Sequence, residues 1–569
     1  MRKSTLKLYA PFIALALAQA AFVVVAPSKG EDNQNPFGQL SAGGATNGVA
    51  AGGGAIDPDT GQLIDGTGGA GGLSGSGGAT GGAGTGSGGT GGTGGSGQTA
   101  AGDTRHCRNG RQTDVIFNAP PCAAKFSGDN GGNTYPGVTD KEIKLIRFEC
   151  EPNEQVNAIL ATQGLAASTE ETNAMVEATT KFMNTTYEFY GRKLVWEHVI
   201  GDCPLTPPDP AKSRQAAAEV AKKKPLFVIH YASGPETHDV WAQNGIVSIG
   251  APNLDVSVYA GRRPFRWDIF PSGTEGAETV GEYYCKKLAG KPATNAGQVI
   301  HPTIGNRTTK RHLGIIVPDN GNNASVPNAR RVQQRVKECA GEDVPMFTYA
   351  SDINRAEEQS RVTVAGLIDQ KVTTVVCMCD AIAPVFMTTQ MTRNNYFPEH
   401  QLPAANLLDY DVLGRLYDPA QWTHAFGPSQ LTQPVPFAQT DAAKIWRAAG
   451  NQGNPCASCN LVTGYMINIG SMIQMAGPNL NPLTIERALV GANYQRGGWA
   501  DSKGNPTVYL IKYGPGDYNA ISDYREVYWD AAARSEIDGK NGAYVPMDGG
   551  RRYANGELGR DFKVAAKPQ

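Results

Sequence analysis

The sequence predicts an α/β chain with two doubly wound, parallel-sheet lobes behind a disordered glycine-rich tether. Three observations predict it. Strand and helix periods trade places from about residue 137 onward, the pattern of parallel strands linked by crossover helices. A second, similar series starts after a single extended pass near residue 268. Much of the chain's glycine, 70 residues in 569, falls in one tract ahead of the folded body.

The elements follow in order. The basic residues of "MRKSTLK" precede the apolar run "LYAPFIALALAQAAFVVVA", which has the shape of a secretory signal. Cleavage after Ala20 in "ALAQA" is one outcome. The other is retention, because a run of about 19 apolar residues is long enough to span a membrane. Residues 1–26 are therefore read as a signal peptide or membrane anchor. The chain is read as exported to the cell envelope or beyond, touching the membrane only through this segment if it stays uncleaved. No cysteine follows the run before Cys107, so a lipid acceptor directly behind the signal is not supported. Residues 27–102 are read as a linker. From Gly43 to Gly102, as in "GGAGTGSGGTGGTGGSG", there are too few apolar side chains to offset chain entropy. A glycine-rich chain of about 60 residues reaches about 40 to 45 Å r.m.s., enough to hold a folded body clear of a cell surface.

Residues 103–136 form an extension closed by Cys107 and Cys122. The first lobe is expected over 137–267 with 411–500, the second over 268–410 with 501–530, and 531–569 as a C-terminal extension. In the first series "EIKLIRFE", "KLVWEHVI", "LFVIHYA" and "GIVSIGAP" read as strands. "EETNAMVEATTKFMNTTYEFYG" and "DPAKSRQAAAEVAKKK" are helices between them. "PFRWDIFPSG" is the pass to the second series. There "HLGIIVPD", "MFTYA" and "TTVVCMCD" are strands, and "TEGAETVGEYYCKKLAG", "ASVPNARRVQQRVKECAG" and "RAEEQSRVTVAGLIDQK" are helices. Ligands of open parallel sheets sit beyond the carboxyl ends of the strands. The blunt end of the third strand, Tyr231, Ala232, Ser233 and Gly234, lies at such a place.

Composition excludes some functions. A formal net charge of -2 and the lack of any run of five like charges argue against a nucleic-acid partner. Ten cysteines in an exported chain favour disulfides over metal ligation. Cys150 with Cys203 would join the carboxyl ends of neighbouring strands, and Cys285 with Cys339 would join two helices flanking one strand. Sequence alone does not fix such connectivity. Cys377 with Cys379 and Cys456 with Cys459 offer four thiols for a tetrahedral zinc site, or a redox pair in C-x-x-C. The C-x-C spacing, which points both sulfurs to one face of a strand, and the exported address favour disulfides, so neither metal nor cofactor is expected. His230, His238, Ser233 and Asp239 suggest a hydrolase. A nucleophile elbow needs G-x-S-x-G, and "YASGP" lacks the first glycine, so no catalytic residue is assigned.

"PGVTDKEIKLI", "YGRKLVWEHVIGD", "PLFVIHYASGPETHDVWAQNGIVSIGAP" and "FRWDIFPSGTEGAETVGEYYCKKL" together resemble type I periplasmic binding proteins. The nearest subgroup is the branched-chain amino-acid-binding components of ABC importers. The likeness runs from about Gly137 to Trp529 and includes the late helix pair "GYMINIGSMIQMAGPNLNPLTIERAL". "CRNGRQTDVIFNAPPCAAKFSGDNGGNTYPGVTD" is similar to an extension on actinobacterial members. The resemblance implies lobes joined by hinge strands, clamshell closure on a small solute and presentation to a membrane permease. It implies binding rather than chemistry.

It also implies the site. A ligand carboxylate would be held by the loop after the third strand (Tyr231, Ala232, Ser233, Gly234) and the backbone after the fourth (Gly250, Ala251, Asn253). Second-lobe loops would supply Asp319, Asn320, Asn323, Asp380 and Asn406. The ordinary structural alternatives are a helix cap at Ser233 and turn chemistry at the Asp and Asn positions. The tyrosine and glutamate pair that grips a ligand amine in the family has no clear equivalent here. Tyr231, Trp267 and Tyr410 are aromatic candidates for an apolar wall, with packing as the alternative. A ligand sensor on the same fold, a secreted hydrolase and a structural cell-wall protein are the rival functions.

Overall fold

The first sheet is built on β1 (Glu142–Cys150), which is buried from Ile143 through Phe148 except at the half-covered Lys144. Burial on both faces is what a parallel strand covered by crossover helices requires. The computed structural model describes residues 103–230, 235–250, 254–321, 325–491, 495–497, 510–521, 523–554 and 556. The expected signal or anchor and the glycine-rich tract lie outside them.

β2 (Lys193–Gly201), β3 (Phe227–Ile229), β4 (Val247–Ile249) and β5 (Arg266–Trp267) complete this sheet in the order β2-β1-β3-β4-β5, all parallel. Its crossover helices have local start signals. Ser168 and Glu171 form a capping box at helix Thr169–Thr186, and Asp209 followed by Pro210 opens helix Pro210–Ala221. Gly137 sits at φ +81° where a Cβ would meet the Leu226 backbone nitrogen at 2.5 Å, so only glycine fits the entry into this body. The 103–136 extension packs onto the same core through Ile116 and Ala119.

β6 (Val299–His301) and β7 (Gly305–Asn306) form a small hairpin. The second sheet contains β8 (Leu313–Pro318), β9 (Met346–Tyr349), β10 (Thr374–Cys377), β11 (Glu399–Gln401) and β12 (Ala425–Ser429), parallel in the order β9-β8-β10-β11-β12. Both sheets therefore have the same 2-1-3-4-5 strand order. β13 (Gln495–Gly497) and β14 (Leu510–Lys512) pair with each other. β15 (Asp523–Arg534) then adds antiparallel to β12, and β16 (Asn541–Pro546) and β17 (Arg552–Ala554) add antiparallel to β15.

Three passes join the bodies. The first is at Asp268–Phe270, and the two returns lie elsewhere than the boundaries read from the sequence. β12 pairs with β11 in the second sheet, so the second body extends to about Ser429 rather than ending at 410; the return lies between Ser429 and helix Asp441–Ala448, which packs on the first core through Ala442 and Ile445. Tyr513, Tyr518, Ala520 and Ile521 also belong to the first core, so the last pass lies between Ile521 and Asp523 rather than near 500. Residues 531–554 are not an appendage, because β16 and β17 are hydrogen-bonded to β15, which itself pairs with β12 of the second sheet. The passes are tied together. Asp268 N–H donates to the Tyr518 carbonyl at 3.0 Å and Ile521 N–H to the Ile269 carbonyl at 2.9 Å. Arg552 donates to the Leu431 carbonyl at 2.9 Å and to the Asp523 carboxylate at 2.8 Å.

The cysteines pair as Cys107–Cys122, Cys150–Cys203, Cys285–Cys339, Cys377–Cys379 and Cys456–Cys459. The thiols that could have made a zinc site are thus consumed within their own short motifs. Among the described residues no helix is long and apolar enough to cross a membrane.

Candidate functional site

In a 2-1-3-4-5 sheet the crossovers on either side of the first strand leave in opposite directions, and a crevice opens beyond the carboxyl ends at that point. Here those points lie at β1/β3 in one body and β8/β10 in the other. Phe148 to Cys150 and His230 end the first pair; Pro318, Asn320 and Asp380 end the second. All of them line one cleft of about 770 Å³.

The second-body wall is braced internally. The Tyr349 hydroxyl donates to Asp380 Oδ2 at 2.6 Å, while Asp380 Oδ1 accepts the Ile382 and Ala383 amides at 2.9 and 3.0 Å. That carboxylate caps the start of helix Ala383–Arg393. Burial and the adjacent Asp380 charge push the Tyr349 phenol well above its ordinary value. The Ser351 amide donates to Asn320 Oδ1 at 2.9 Å, and Asn320 Nδ2 donates to Ser351 Oγ at 3.1 Å. Asn406, at φ +57°, donates to the Cys379 carbonyl at 2.6 Å.

On the first-body wall Glu149 bonds the buried Arg147 and accepts from His198 Nε2 at 2.9 Å. Desolvation, with the Arg147 charge beside it, lowers the His198 pKa. His230 donates from Nδ1 to the Phe148 carbonyl at 3.0 Å, and burial pushes it down to about 4, so the ring is neutral at pH 7. The two walls also touch. Ile353 N–H donates to Thr206 Oγ1 at 2.8 Å, Arg331 bonds Asp255 at 2.7 Å, and Leu160 and Leu165 pack against the second-body cluster around Leu402 and Trp422.

Of the residues expected at the site, Asn320, Asp380 and Asn406 are brought together on this wall. Tyr231, Ala232, Ser233, Gly234, Ala251, Asn253 and Asn323 lie outside the described residues. Asp319 does not line the cleft: it is exposed, and its side chain accepts the Gly321 amide at 3.2 Å in a turn. Gly250 sits behind the wall, where its amide donates to Asp268 Oδ2 at 3.0 Å; burial raises that carboxyl to about 7. Trp267 is a core residue packed on Tyr513 and Tyr518, and Tyr410 packs beside Leu402 and Trp422, so neither is a cleft wall. Asp239 accepts from Arg262 and Arg266, each at 3.1 Å, instead of orienting a histidine as a hydrolase would require. Sequence reasoning missed Glu149, Glu151, Thr206, Glu236, Tyr349, Ser351 and Asp352, all of which line the cleft. Most sit at the ends of β1, β2 and β9, where the strand-end rule already pointed.

No family model matches the chain, and no curated protein matches its sequence. Its fold is shared with solved structures of ABC-transporter substrate-binding proteins. One from Aeropyrum pernix is 11% identical with a TM-score of 0.50, over 74% of this chain and 97% of that one. A fatty acid ABC transporter substrate-binding protein from Thermomonospora curvata is 15% identical with a TM-score of 0.51, over 77% and 99%. A leucine-, isoleucine-, valine-, threonine- and alanine-binding protein from Brucella ovis, in a closed conformation, is 12% identical with a TM-score of 0.50, over 73% and 96%.

Proposed function

We propose that the chain is an extracytoplasmic solute-binding protein that captures a small molecule between its two lobes and delivers it to the permease of an ABC importer. The observation that carries this is the opening of both topological switch points into one cleft of about 770 Å³, a size suited to a small organic solute. Asn320, Asp380 and Asn406, held by their neighbours, are the fixed contacts of one wall. Tyr231, Ala232, Ser233 and Gly234, with Ala251 and Asn253, are assigned as the first-lobe contacts from their place in the sequence after the third and fourth strands. The exported address follows from the leader-like segment, and presentation to a permease from the fold shared with importer components.

The test is a thermal-shift screen of the full chain, produced in an oxidising compartment and freed of bound solute by unfolding and refolding. A ligand at 100 times its Kd adds about 2.7 kcal/mol, raising the Tm by a few degrees. A hit that Ser233→Ala or Asn406→Ala weakens supports the assignment. A folded sample that ignores amino acids, amides, polyols, amines and fatty acids counts against it, and turnover of any solute would replace it with an enzyme.

A further inference from the structure

The cleft has a marked charge imbalance. Glu149, Glu151, Glu236, Asp352 and Asp380 line it, and among the described residues no lysine or arginine does. The strand-end stretches 231–234, 251–253 and 322–324 carry no charged residue either. Among the described residues, only Glu149 of the five carboxylates is ion-paired with a guanidinium, that of Arg147. Lys212, whose field reaches Glu151, is paired with Asp202 at 2.9 Å.

The same carboxylates also counter the usual attraction for an anion. Helix N-termini at a cleft draw negative groups through free amides and the helix dipole. Here the chain supplies its own. Asp380 takes the Ile382 and Ala383 amides, Ser168 and Glu171 cap helix Thr169–Thr186, Glu236 stands in the first turn of helix Pro235–Gln243, and Asp352 takes the Asn354 amide at 3.0 Å. A carboxylate solute would meet like charges in a cleft whose low-dielectric walls strengthen them. A cation would be attracted by the same field and would find apolar surface in Ile200 and Phe386 for its carbon skeleton.

We propose that the solute is a small organic cation, such as an amine, a guanidine or a quaternary ammonium compound, and not a carboxylate. This rests on the solute-binding reading and narrows it.

The experiment is titration calorimetry of the refolded full chain with matched series: leucine, leucinamide, isoamylamine and 4-methylpentanoate, together with agmatine, choline and a medium-chain fatty acid. Binding confined to cations is expected, weakening as salt rises from 50 to 500 mM. Combining Glu236→Gln with Asp352→Asn, which preserves shape and the Asn354 bond, should weaken it about tenfold. A carboxylate or a neutral solute that binds more tightly than its cationic counterpart overturns the inference while leaving solute binding intact. Cation binding that ignores both salt and the double substitution also overturns it. A folded chain that binds nothing in the series, and nothing in the broader screen, overturns solute binding itself.

Discussion

Two disulfides flank the cleft, one on each wall, and they differ in the chain they close. Cys150–Cys203 joins the end of β1 to the loop after β2 across 53 residues, whereas Cys377–Cys379 closes the end of β10 across 2. A long loop restricts the unfolded chain strongly and a very short one hardly at all. The first bond therefore belongs to global stability. The second belongs to local shape, because the carbonyl of Cys379 is the acceptor that positions Asn406 on the cleft wall.

The strongest way to break this contrast is Cys150→Ser with Cys203→Ser. The chain-entropy relation predicts a loss of about 4 kcal/mol, read as a lower urea midpoint; an unchanged midpoint would show that the bond holds a contact and not the unfolded chain. Next is the buried histidine of the first wall. Unfolded, His230 takes a proton below its ordinary value of 6.5, but folded only below about 4. Stability is thus complete above pH 6.5 and falls by about 3 kcal/mol through this residue as pH drops to 4. His400 contributes the same sign. Asp268, raised to about 7, has the opposite slope over the window below pH 7. The informative quantity is hence the difference between the chain and its His230→Asn variant, whose stability should fall less steeply on acidification. Superimposable pH slopes would contradict it.

Smaller effects sharpen the second wall. Asp380→Ala leaves the buried Tyr349 hydroxyl and two helix amides without their acceptor, at a cost of about 2 kcal/mol; Tyr349→Phe, which leaves both amides capped, should cost about 1 kcal/mol. Calorimetry separates the two. A similarly small stability change, about 1 kcal/mol, is expected from Cys377→Ser with Cys379→Ser. That variant should still lose solute affinity as Asn406 shifts, and a large stability loss with unchanged affinity would reverse the assignment of roles.

The alternation of strand and helix made both bodies readable, and the first pass announced itself in "PFRWDIFPSG" by breaking that rhythm. The returns were less visible. β12 is the five-residue "AFGPS", whose Gly and Pro argue locally against a strand, and its membership of the second sheet is fixed by long-range pairing to β11 and β15. "DYREVYWDAAAR" has strand composition, but nothing local says that it runs antiparallel at the far side of a parallel sheet. At the site, Asp380 was named because "CMCDAIA" follows a strand, whereas Asn406 was named for lying near a return crossing that the fold places after Ser429, and it joins this wall through its bond to the Cys379 carbonyl. Asp319 follows a strand too, and only the fold shows that its carboxylate turns back onto Gly321. Tyr349 was hidden by its type: a tyrosine ending a strand reads as core until Asp380 is seen beside it.

The three joined passes carry a mechanical consequence. Two rigid bodies linked by one covalent strand keep three rotations. Here the first and third passes are laddered backbone to backbone and the second and third are clasped by Arg552, so twist and shear would break hydrogen bonds while folding about the line of the passes breaks none there. The passes therefore resist twist and shear more than folding about their own line. Beyond the passes the two bodies meet again at Thr206 and Ile353, while the Asp255–Arg331 pair braces them close to the first pass, beside the bond from Thr274 to Asp255.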